Sequence, residues 1–146
     1  MSKNTTFWRT KAVAIALQGL CLTLSGAASA AALFTSMLDI QTANPNPRRV
    51  NCQILNVSSS NRSGTIRTIR GNGTVLSVVS YNIAPGRGAG DSVSVTDTSV
   101  PYVLVYCHFT VKPLPGETAT VTAGAVRASL VLIDPNGNAF ANAEAR

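Results

Sequence analysis

Beyond residue 32 apolar and polar positions alternate over short runs, and no stretch repeats its apolar residues every three or four positions. That two-residue period, in runs rich in Val, Ile and Thr and punctuated by Gly, Pro, Asn and Ser, predicts strands and not helices. Eight strands are expected, at 33–40, 50–57, 65–70, 74–83, 91–96, 102–111, 126–133 and, more weakly, 139–143. The breaks between them carry turn chemistry. Asn72-Gly73 suits the two positive-φ positions of a type I′ hairpin. Pro85-Gly86 and Pro115-Gly116 suit type II turns, with Pro where φ is preset and Gly where it must be positive. Asp134-Pro135-Asn136-Gly137 reads as a type I turn whose Asp bonds back to the backbone.

Parity assigns faces. In 102–111, Val103, Val105, Cys107, Phe109 and Val111 share one side and read as the core, while Tyr102, Leu104, Tyr106 and His108 share the other. Val50, Cys52 and Ile54 alternate likewise, and the following Leu55-Asn56-Val57 predicts a bulge or phase change. Joining the two strands through inward cysteines pins two sheets across a core, which is the immunoglobulin-like arrangement of seven or eight strands. The expected fold class is therefore all-β, one immunoglobulin-like sandwich. No Trp follows residue 8, and Val105 stands two before Cys107 where a tyrosine corner needs Tyr, so the expectation covers the architecture and not that family.

The first thirty residues differ in kind. Lys3, Arg9 and Lys11 precede a 13-residue apolar run, 12–24, and Ala28-Ser29-Ala30 supplies small residues before a cleavage point at Ala31. This is the layout of a secretory signal. The expected organisation is a signal peptide at 1–30, an N-terminal strand and linker at 31–46 and the sandwich at 47–146, with 31–146 one folded unit and no stable membrane span once the leader is gone. Leu20 before Cys21 is too large for a lipidation site. Three of the 12 basic residues fall in the leader and all six acids follow it, so nine basic residues face six acids and the mature charge is +3. Such a balance makes no case for nucleic acid. In an oxidising compartment Cys52 and Cys107 are expected to form a disulfide.

Leu33-Phe34-Thr35 close behind a leader, then Cys52-x-x-x-Asn56-Val57-Ser58, Ala84-Pro85-Gly86, Cys107-x-Phe109 and Arg127-Ala128-Ser129-Leu130 running to Asp134, occur in that order. In this the chain resembles a group of small exported bacterial proteins. The resemblance implies a secreted or periplasmic β-sandwich with one disulfide, and it implies no catalytic residues.

The inventory for chemistry is thin. His108 is the sole histidine, so a nucleophilic triad has one candidate base, and no serine stands in a G-x-S-x-G elbow. One histidine also fails a blue-copper site, and a zinc site would have to draw on scattered ligands. Asp39, Asp91, Asp97, Glu117, Asp134 and Glu144 are placed mostly at strand ends and loops, with Asp91 and Asp97 flanking a short strand as loop acids. Gly71, Gly73, Gly86, Gly88 and Gly90 read as turn glycines, since no strand–loop–helix context makes them a phosphate loop. Arg48, Arg49, Arg62, Arg67, Arg70 and Arg87 read as a solvated surface rather than one basic patch. No catalytic, cofactor-binding or metal residues are assigned. Tyr102, Leu104, Tyr106 and His108 are the candidate binding face, an amphipathic row suited to protein or carbohydrate contact. The expected function is a non-enzymatic exported module for binding or envelope structure. The alternatives are an unrecognised exported hydrolase and a fimbria-like subunit, the latter weakened because 138–146 lacks a penultimate aromatic.

Overall fold

The computed structural model describes residues 29–41, 48–95 and 102–146. The leader expected at 1–30, Cys21 within it, and Asp97 lie wholly or almost wholly outside these residues. Nine strands and one short helix follow in order: β1 (Ala31–Phe34), β2 (Leu38–Gln41), β3 (Arg48–Asn56), β4 (Arg62–Arg70), β5 (Val75–Ile83), β6 (Gly88–Val95), β7 (Tyr102–Val111), α1 (Ala119–Gly124), β8 (Val126–Ile133) and β9 (Ala139–Glu144).

They form two antiparallel sheets, a sandwich. One has the order β1-β7-β4-β5, with β2 also paired to β7; the other runs β6-β3-β8-β9. Cys52 on β3 and Cys107 on β7 are both fully buried and form a disulfide across the core, with Cα atoms 5.9 Å apart. This inter-sheet bridge is the feature shared with immunoglobulin-like sandwiches. Closing a loop of 55 residues contributes about 4 kcal/mol in the chain-entropy account. Around it pack Ile40, Val50, Ile54, Ile66, Val105, Phe109, Val111, Leu130 and Leu132, each at most 2% exposed. The inward parity read for β7 holds at all five positions.

The structure departs from the sequence reading at several points. The strand expected at 33–40 is two strands on the same partner: Phe34 lies opposite His108 and Leu38 opposite Val105, a slip of one residue. Thr35 fills the gap, its N–H donating to the Cys107 carbonyl (3.1 Å) and its Oγ1 accepting from the Cys107 N–H (2.9 Å). Among the described residues the strand count is therefore nine, where seven or eight were expected. No phase change occurs after Ile54. β3 pairs with β8 without a break through Asn56, leaving Leu55 exposed and Asn56 fully buried. The buried amide is tolerated because it is satisfied: Nδ2 donates to the Ser60 and Ile83 carbonyls, and Oδ1 accepts from the N–H and Oγ of Ser58.

Asn72-Gly73 is not a type I′ turn, since Gly73 alone has positive φ (88°). The Gly73 N–H donates to the Arg70 carbonyl and the Arg70 N–H to the Thr74 carbonyl, a three-residue hairpin loop with glycine at the left-handed position. Asp134 to Asn138 repeats that pattern, with Asp134 Oδ1 accepting from the N–H groups of Asn136 and Asn138 as expected. At Pro85-Gly86 and Pro115-Gly116 the chain turns as expected, with glycine φ of 70° and 81°. Gly88 and Gly90 are not turn glycines; they lie in β6, which begins three residues before the expected strand. Helix α1 was not expected, and its six residues span too few turns to show a 3.6-residue period.

Candidate functional site

The candidate row lies on the outer face of the five-stranded sheet. Along β7, Tyr102 is 59% exposed and Leu104 43%, while Tyr106 and His108 are half-buried. β1 and β2 flank β7 at the sheet margin, extending the face sideways.

Cross-strand register carries the face onto its neighbours, because residues directly opposite on antiparallel strands share a side. Phe34 on β1, His108 on β7, Arg67 on β4 and Val78 on β5 form one continuous row across the sheet. Phe34 stacks on His108, the ring centroids 4.4 Å apart and the planes 1° from parallel. Phe34 and Val78, at the two ends, are 49% and 54% exposed. One rung further, Thr65 and Thr110 join hydroxyl to hydroxyl at 2.7 Å, and the Thr65 N–H also donates to Thr110 Oγ1. Burial first, and the Arg67 charge second, hold the His108 imidazole below the usual histidine range. The Phe34–His108 stack is thus between two neutral rings at neutral pH, and Arg67 is the cation of that row.

The titratable groups do not gather. Among the described residues no three His, Cys, Asp or Glu side chains lie close enough to hold a metal ion. The acids placed at strand ends and loops are in fact split. Asp39 and Asp91 sit inside strands and Glu144 ends β9, while Glu117 and Asp134 belong to turns. Asp91 is 8% exposed, not a loop acid: its carboxylate accepts from Thr68 Oγ1 (2.8 Å) and Ser77 Oγ (3.2 Å), beside the disulfide sulfur of Cys52, which lies 3.2 Å from Thr68 Oγ1.

Arg62, read as a surface arginine, is 4% exposed and makes a two-pronged ion pair with Glu117. Its Nε donates to Ser58 Oγ, and Glu117 also accepts from the Leu114 N–H and Thr122 Oγ1. This network ties together the loop after β3, the start of β4 and the loop that enters α1. No local pattern announces it, since the partners are 55 residues apart.

The opposite face has a feature that sequence reasoning missed. Gly88 and Gly90 share one side of β6, so two side chains are absent beside Leu55 and Gln53 of β3. Gly88 and Gly90 border a concavity of about 1070 Å³ whose polar lining includes Asn51, Gln53, Ser92 and Ser129, with Arg127 and Glu144. The signal was the Gly-x-Gly spacing inside a strand period.

The fold and faces define an all-β sandwich pinned by one disulfide and bearing an aromatic-aliphatic outer sheet. Comparison with protein-family models, with characterised proteins and with solved structures found no match.

Proposed function

We propose that this chain is an exported, non-enzymatic binding module whose contact surface is the outer face of the five-stranded sheet, and that its partner is a protein. The observation that supports this reading is the continuous exposed surface of Tyr102, Leu104, Phe34 and Val78 around Tyr106, His108 and Arg67. Tyr, Phe and Arg are the residues enriched at protein interfaces, and exposed aliphatic Leu104 and Val78 on the same face favour an apolar partner surface over a sugar. Export is supported by the leader pattern, by a disulfide of the kind that persists outside the cytosol and by β1 opening at Ala31, the residue that cleavage would leave first. No helix among the described residues is long and apolar enough to cross a membrane. The resemblance to small exported bacterial proteins points the same way, to the periplasm or the medium.

A photo-crosslinking residue at position 104, compared with one at position 53 on the other sheet, tests the contact surface in cells. A discrete protein adduct from position 104 and none from position 53 is the expected outcome. Adducts of equal strength from both positions, or glycan in place of protein at 104, would contradict the reading.

A further inference from the structure

The two long sides of the sandwich differ. On one, Thr35 bridges to Ala145, and Phe34 exchanges two backbone hydrogen bonds of 3.1 Å with Arg146, so the five-stranded sheet is stitched to the end of the other. On the other side, β5 and β6 are the last strands of their sheets, and among the described residues neither pairs with a strand beyond it.

An open edge presents unpaired N–H and C=O groups, and natural sheets guard it with charges, prolines, bulges or inward-pointing acids. β6 has such guards. Gly88 and Gly90 weaken it, and Asp91 turns its carboxylate inward from the edge strand. β5 has one irregularity, where the register shifts opposite Thr68 and Ile69. From Ser77 to Ile83 it then reads SVVSYNI, with no charge, proline or glycine, paired regularly to β4. A regular, uncharged stretch of this composition is a template for another strand.

We propose that β5 pairs antiparallel with β5 of a second copy of this chain, joining the two five-stranded sheets into one. A second copy is the occupant for reasons of charge and closure. Two copies of SVVSYNI set no charge against a like charge, although the chains are basic overall, and β5 offers a charged partner no opposite charge to read. Antiparallel self-pairing about a two-fold axis also uses both open edges at once and closes the assembly. Such an axis, perpendicular to the sheet, keeps both outer faces on one side. The two Tyr102 rows then stand about 24 Å apart, five strand spacings of about 4.8 Å, and are presented together. A partner with two matching sites would be held by both. Pairing through β5 does not depend on what the outer face binds.

The test uses the exported, oxidised protein, with sedimentation across a concentration series and residue-resolved amide exchange. A monomer–dimer equilibrium is expected, with the amides of Ser77 to Ile83 that point away from β4 slowing as dimer forms. Ser80 is exposed on β5 and lies opposite the uncharged Thr65, so Ser80→Lys sets no like charges together, and it is expected to weaken dimerisation by about tenfold or more, as an edge lysine does. Leu104→Glu, on the same face but away from the edge, is expected to leave dimerisation unchanged. A protein that stays monomeric at every concentration overturns the proposal. So does a dimer that Leu104→Glu abolishes, or one that leaves the β5 amides exchanging as in the monomer.

Discussion

Glu117 is held at about 2 by the Arg62 guanidinium first, then by the Leu114 N–H and the Thr122 hydroxyl. A carboxylate whose folded pKa lies below its ordinary value of 4.5 contributes stability that is complete above about pH 4.5 and is lost as pH falls through about 2. Glu117→Gln is therefore expected to lower the melting temperature at pH 7 by several degrees and to flatten its fall between pH 5 and pH 2. Thermal melts of both proteins across that range check it; parallel pH profiles would show that the pair is not coupled to folding. The same residues mark a limit of sequence reading. Arg62 looked like any surface arginine because its partner is distant in sequence, and Asn56 looked like a phase break because an inward amide is unfavourable until its partners at Ser58, Ser60 and Ile83 are known. By contrast Cys52 and Cys107 were legible, since each sits on an inward parity between apolar residues, Val50 and Ile54 for one and Val105 and Phe109 for the other.

At the scale of elements, β4 and β7 approach so closely at Gly64 that an added Cβ would lie 1.8 Å from the Thr110 carbonyl oxygen. The Tyr81 hydroxyl donates to that same oxygen (2.9 Å), and burial pushes its pKa up to about 12. Gly64→Ala is thus expected to destabilise by about 3 kcal/mol or more, at the top of the range for overpacking, because backbone and not a flexible side chain must move. Chemical denaturation measures this directly, and a loss under about 1 kcal/mol would mean that the strands part without cost. Strand existence was readable from alternation, and β7 was placed to the residue. The starts of β4 and β6 were not, because Gly64, Gly88 and Gly90 carry no side chain to show a face and glycine ordinarily argues against a strand. The one-residue slip between β1 and β2 was hidden for a related reason: Thr35 supplies both backbone and hydroxyl to Cys107, which no periodicity encodes.

For the whole molecule, the proposed leader and the disulfide bear on the same question, the compartment in which the chain folds. A core built around Cys52 and Cys107 gains its cross-sheet bond only where thiols are oxidised, and the first thirty residues are the part of the sequence that reads as a route there. The candidate face was legible as a row, from parity along β7 alone; its breadth, from Phe34 to Val78, needed the register of four strands. The measurement that tests the central claim most directly is the intact mass of the protein recovered from outside the cytosol of its host, with and without reduction and thiol alkylation. The account predicts a chain beginning at Ala31, two hydrogens lighter than the dithiol and alkylated only after reduction. A retained leader, or two thiols alkylated without reduction, would contradict it.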